Sequence, residues 1–89
     1  MILNVIYAEY KDEYKVFLTF NNGESVVTDL EETIFSENRI IFEPLKDKSY
    51  FQSFVIKYNT IEWSNGADFA PEFLHDLGKK QQAKNQICA

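Results

Sequence analysis

The chain has 89 residues, 14 acidic against nine basic side chains and a formal net charge of −5 at neutral pH. That length suits one domain and leaves no room for two, and 45% hydrophobic with 16% aromatic residues excludes a disordered or low-complexity chain. The lone Cys88 excludes an internal disulfide framework, no apolar run approaches the roughly 18–20 residues of a membrane span, and Met1–Glu9 lacks the basic and apolar regions of a signal peptide, so a cytoplasmic location is expected.

Ile2 to Tyr10 is apolar and rich in strand formers, and predicts a first strand. Lys11-Asp12-Glu13 turns the chain. Tyr14, Val16, Leu18 and Phe20 then alternate with Lys15, Phe17 and Thr19, the period of two that marks a half-buried strand with the first set facing the core. Asn21-Asn22-Gly23 is a hairpin signal, because Asn and Gly tolerate positive φ, and Glu24 to Thr28 is the returning strand. Acids in Asp29–Phe35 suit a short helical turn capped by Asp29. Ile40–Leu45 reads as an irregular connection, because Pro44 opposes regular structure. Asp47 or Ser49 is positioned to cap a short helix containing Tyr50, Phe51 and Phe54.

Phe54–Tyr58 and Thr60–Trp63 predict a second hairpin around Asn59, and Ser64-Asn65-Gly66 a turn. A closing helix is expected from Pro71, which suits the first turn where its missing N–H is no loss, to Leu77. Phe69, Phe73 and Leu77 recur every four residues and, with Ala70 and Leu74, form one apolar face. Gly78 reads as the residue that ends this helix. Lys79 to Gln86 is uniformly polar. The expected organisation is therefore α+β: an antiparallel sheet of about five strands, as a three-stranded meander plus a second hairpin, with one or two short helices packed on one face. Residues 1–78 form the domain and 79–89 a flexible polar tail.

The order Phe20-Asn21-Asn22-Gly23-Glu24, Asp29-Leu30, Pro44-Leu45, Phe51 and, above all, Trp63-Ser64-Asn65-Gly66-Ala67-Asp68-Phe69-Ala70-Pro71-Glu72 resembles the bacterial domain of unknown function family 2442, over roughly residues 3–77. Ser64 stands where members usually carry Pro. The resemblance implies a small fold of antiparallel strands and helices with no established activity. Some members carry an appended helix-turn-helix DNA-binding domain, which a chain stopping 11 residues after Gly78 is not expected to contain. That context suggests a regulatory or antitoxin-like role.

The segment Trp63–His75 is the candidate site, with Trp63, Asn65, Gly66, Asp68, Pro71, Glu72 and His75 as its marked residues. Glu72 and His75 share a helix face at i, i+3, and with Asp68 they offer ligand types suited to a first-row metal. The structural reading of the same residues needs no metal. Gly66 permits a positive-φ turn, Asp68 hydrogen-bonds free N–H groups at the helix start, Pro71 begins the helix and Glu72 sits well on its dipole. Trp63 is expected as a core anchor with its N–H on a backbone carbonyl, rather than as a stacking platform for a base or sugar. No nucleophile has a partner: Cys88 lies in a polar stretch, the serines have only His75 as a base, and the three glycines are isolated.

Residues 1–78 hold all 14 acids and six of the bases, a formal −8, whereas residues 79–89 hold three lysines and no acid. An acidic body repels phosphate backbones, so nucleic-acid binding by the folded part is not expected. The leading expectation is a non-catalytic protein-interaction module without cofactors, binding a basic protein partner or a second copy through exposed sheet edges. A small-ligand or metal-dependent site built from Asp68, Glu72 and His75 is the alternative.

Overall fold

The computed structural model describes residues 2–87, with side chains as far as Ala83. Three strands, β1 (Val5–Tyr10), β2 (Lys15–Phe20) and β3 (Ser25–Asp29), form an antiparallel meander in the order β1-β2-β3. The period of two in β2 places Val16, Leu18 and Phe20 on the inner face, each fully buried. Gly23 supplies the positive φ of the β2–β3 turn, at +89°.

β1 is shorter than the apolar run suggests. Its pairing with β2 slips between Val5 and Tyr7, so Ile6 is an extra residue on that strand. Such a bulge turns the following side chains by one position, and both Ile6 and Tyr7 lie in solvent.

Helix α1 (Glu31–Ser36) follows β3. Its N-cap residue is Leu30, but the Asp29 carboxylate accepts the Glu31 N–H at 3.0 Å, as a capping acid does. Ile40–Leu45, expected to be irregular, lies in a 3-10 helix (Ile40–Lys46) with Pro44 inside it. The i, i+3 pattern needs few N–H groups in so short a run, so a proline is accommodated, and the turn buries Phe42 and Leu45. Helix α2 (Lys48–Phe51) is capped by Asp47, whose side chain accepts the Ser49 N–H at 3.0 Å. Phe54 lies beyond its end.

The second hairpin is β4 (Val55–Lys57) with β5 (Thr60–Glu62), turned at Tyr58 and Asn59, both of which have positive φ. The five strands divide into two sheets rather than one. The hairpin tip meets β1 where Val5 N–H donates to the Asn59 carbonyl at 2.9 Å.

Helix α3 (Pro71–Ile87) has 17 residues and packs along β3. It runs through Gly78 instead of ending there, which places residues 79–87 in the helix rather than in a polar tail. The reason is tertiary: a Cβ on residue 78 would stand 2.6 Å from both Thr28 Oγ1 and Val26 Cγ2. The glycine therefore admits the strand to the helix backbone, and this contact offsets the roughly 1 kcal/mol that a helical Gly sacrifices relative to Ala. The buried face also shifts. Leu74 is fully buried and Leu77 half-buried, whereas Phe73 is 42% exposed and stacks on Phe69 at 5.8 Å. No helix among the described residues is long and apolar enough to cross a membrane. Cys88 lies outside the described residues.

Candidate functional site

The segment from Trp63 to Ala67 is a tight loop closed by Gly66. Trp63 N–H donates to the Ala67 carbonyl and Gly66 N–H to the Trp63 carbonyl, both at 2.9 Å, with Gly66 at φ +91°. Asn65 holds the loop from three directions. Its Nδ2 donates to the Ile41 carbonyl at 2.8 Å, its Oδ1 accepts the Ala67 N–H at 3.0 Å, and its own N–H donates to the Tyr50 hydroxyl at 3.0 Å. Trp63 is 1% exposed, and its indole N–H donates to the Phe51 carbonyl at 2.9 Å. With Phe51, Phe54 and Phe69 around it, at centroid distances of 5.6, 6.0 and 5.9 Å, it is a core anchor and offers no free face for stacking.

Asp68, Glu72 and His75 are not brought together. Asp68 pairs through its backbone with Glu62, and its exposed carboxylate takes no part in the hydrogen bonds of the described residues, so it does not tie down the helix start as the sequence suggests. Glu72 is exposed in the first turn of α3, where its charge suits the helix dipole. Among the described residues no three His, Cys, Asp or Glu side chains are placed to hold a metal ion.

His75 turns instead toward the β2–β3 hairpin. Its Nε2 lies 2.7 Å from Glu24 Oε1, and its ring stands edge-on to Phe20 at 5.1 Å. Glu24 also accepts from Lys79 Nζ at 2.9 Å and from Asn22 Nδ2 at 2.8 Å. These contacts, the Lys79 hydrogen bond first, then His75 and Asn22, hold the Glu24 carboxyl down to about 2.

Three further contacts sew α3 to β3. The buried Thr28 hydroxyl donates to the Leu74 carbonyl at 3.1 Å, and Gly78 lies on Val26 and Thr28. Gln81 then reaches the strand backbone twice: its Oε1 accepts the Asp29 N–H at 2.8 Å, and its Nε2 donates to the Asp29 carbonyl at 2.9 Å. Beside this clasp a groove of about 600 Å³ runs along the free edge of β3, lined by Lys15, Phe17, Ser25, Val27, Asp29 and Gln81 among others. A second hollow of about 390 Å³ continues on the far side of Asp29 and Gln81, bordered by Glu32. Glu24, Lys79 and Gln81 carried no signal in the sequence, since each meets a partner more than 50 residues away.

The family model described as "Protein of unknown function (DUF2442)" matches residues 5–80. No curated protein matches the chain. Among solved structures, the crystal structure of a presumed DNA-binding protein from Nitrosomonas europaea is similar, with a TM-score of 0.78 at 16% sequence identity. The similarity covers 93% of this chain and 53% of that one, so this chain spans about half the length of its structural neighbour.

Proposed function

The chain belongs to the DUF2442 family of proteins of unknown function, and on that premise we propose that it is a non-catalytic protein-interaction module of the cytoplasm with a regulatory or antitoxin-like role. One observation carries this reading: large apolar side chains stand in solvent where β1 meets the β4–β5 hairpin. Ile2, Ile6, Val55, Ile56 and Tyr58 are each exposed on the segments that meet at the Val5–Asn59 junction, and large apolar side chains left in solvent on adjoining segments favour contact with another macromolecule. The engagement of His75 by Glu24 supports a non-catalytic role, because it takes the one imidazole away from the acids that would have worked with it. The acidic body favours a basic protein partner, with a second copy of the chain as the other candidate. Chemical crosslinking and affinity purification of the tagged chain from its native host tests the reading. Repeated recovery of one specific partner is expected, or a dimer by light scattering. A monomer that recovers nothing specific overturns it.

A second reading, direct contact with DNA, is favoured by the description of the structural neighbour and by Lys79, Lys80 and Lys84 in the last turns of α3, with no acid after Asp76. The formal −8 of residues 1–78 works against it. A gel shift with duplex DNA at physiological salt decides between the two.

A further inference from the structure

The free edge of β3 is unlike that of an ordinary terminal strand. In an antiparallel ladder, opposed residues alternate between pairs that exchange backbone hydrogen bonds and pairs that do not, and the latter turn their N–H and C=O outward. The bonds Leu30 N–H to Tyr14 O and Phe20 N–H to Glu24 O fix the phase at both ends of the β2–β3 pairing. With the register Lys15 to Asp29, Phe17 to Val27 and Thr19 to Ser25, the outward-facing residues of β3 are Ser25, Val27 and Asp29. The Asp29 backbone is occupied: Gln81 supplies it with one acceptor and one donor, the same two contacts that a neighbouring strand would make. Ser25 and Val27 have no such partner among the described residues, and they open onto the groove of about 600 Å³.

We propose that this groove, between the edge of β3 and helix α3, takes an extended segment of a basic partner protein, which adds to the sheet as a fourth strand. The inference rests on the interaction-module reading above and gives it a second contact surface, separate from the exposed apolar side chains of β1 and the β4–β5 hairpin. Each structural element has a counterpart in the occupant. The N–H and C=O of Ser25 and Val27 supply main-chain bonds, the part of strand addition that gives affinity independent of sequence. Phe17 and Val27 face the outer side of the sheet, so alternate residues of the incoming strand are apolar on that side. Gln81 closes the ladder at Asp29 and thereby sets where the added strand stops. Beyond that stop lie Glu31 and Glu32 in the first turn of α1, exposed and without an ion-pair partner among the described residues. They fit a lysine or arginine at the end of the segment. At the opposite end Glu24 is already engaged, by the Lys79 ammonium at 2.9 Å and the His75 ring at 2.7 Å. The other free edge, that of β1, is less available, because its Val5 N–H is taken by Asn59 and a bulge interrupts it at Ile6.

The probe is a displayed library of random decapeptides. Selection is expected to enrich peptides with alternating apolar residues and a terminal Lys or Arg. The strongest, synthesised and titrated into isotope-labelled protein, is expected to shift the Ser25 and Val27 amide resonances. Val27→Pro removes the outward N–H while leaving the ladder to β2 intact, since proline is tolerated at such edge positions. It should lower affinity by roughly tenfold or more. Glu31→Lys with Glu32→Lys leaves the backbone alone and tests the charge end if Val27→Pro does not fold; it should weaken binding of the basic peptides by a similar factor. Selected peptides that shift only residues remote from β3, equal binding by a folded Val27→Pro protein, or a library without binders overturns the proposal. Recovery of a host partner whose crosslinks avoid β3 overturns the groove and leaves the interaction module standing; recovery of no partner while the peptides still occupy β3 does the reverse.

Discussion

Gly78 is the position where a single methyl group most directly tests the seat of α3 on β3. In a free helix, Gly→Ala is stabilising by about 1 kcal/mol. Here the new Cβ would lie 2.6 Å from Val26 Cγ2 and from Thr28 Oγ1, and 3.0 Å from Val26 Cβ, whereas carbon contacts settle near ~3.5–4.0 Å. The helix must retreat by about 1 Å to reach that distance. Overpacking of this kind costs about 1–3 kcal/mol. Retreat also draws the Leu74 carbonyl away from the fully buried Thr28 hydroxyl, leaving a polar group unpaired at about 1–3 kcal/mol. Net of the propensity gain, Gly78→Ala is expected to destabilise by about 1–5 kcal/mol. A loss near 2 kcal/mol in a domain of this size lowers Tm by about 8–16 °C. Urea unfolding followed by circular dichroism reads the change as a lower midpoint at unaltered slope. Val26→Ala removes one of the two opposing groups, so the double variant should lose less than the sum of the single losses. If Gly78→Ala raises the midpoint, the helix is not seated on the strand and the packing argument is wrong.

Glu24 supplies a pH test. Its folded-state pKa, about 2, lies below the ordinary 4.5, so its contribution is present above the unfolded value and is lost as pH falls from about 4.5 to about 2. Urea midpoints measured across that window should fall more steeply for the wild type than for Glu24→Gln, the two converging at the acid end; parallel curves would show that Glu24 does not anchor α3. Trp63→Phe removes the donor to the Phe51 carbonyl and part of the core volume, and is expected to cost about 2–4 kcal/mol. In the wild type, Trp63 fluorescence should be blue-shifted and resist acrylamide quenching, and ready quenching would contradict its burial. Tyr58, 81% exposed at φ 53°, holds a left-handed conformation that costs a bulky residue about 1–2 kcal/mol. Tyr58→Asn should therefore raise the thermal midpoint, and a fall would show that the approach of Lys57 Nζ to the ring, at 5.4 Å, outweighs the strain.

The meander was legible because its signals are local. Tyr14, Val16, Leu18 and Phe20 alternate without interruption, and Asn22-Gly23 marks the turn, so β2 and its hairpin follow from the period alone. The phase of β1 was not legible, since an unbroken apolar run contains nothing to say that Ile6 is an extra residue. The end of α3 misled for a physical reason. A glycine after an amphipathic stretch ordinarily stops a helix, yet here the missing Cβ serves the close approach of Val26 and Thr28, a fact of tertiary structure. The candidate site failed in a similar way. Spacing puts Glu72 and His75 on one helix face, but the imidazole goes to an acid 51 residues earlier. Of the marked motif, Trp63 and Gly66 stand as their chemistry suggested, a core anchor and a positive-φ turn, whereas the bonds by which Asn65 clamps the loop to Tyr50 and Ile41 reach partners that sequence order does not reveal.

The Gln81 carboxamide stands in for a peptide unit. A side chain can occupy that position only while its rotamer holds, whereas a strand is held by its whole length. The boundary of the sheet at Asp29 is therefore set by the rotamer of one residue, held by its two hydrogen bonds to the strand. Turning that side chain away would add one rung to the template without any movement of the backbone, so the length of what it can hold is a property of a single torsional state.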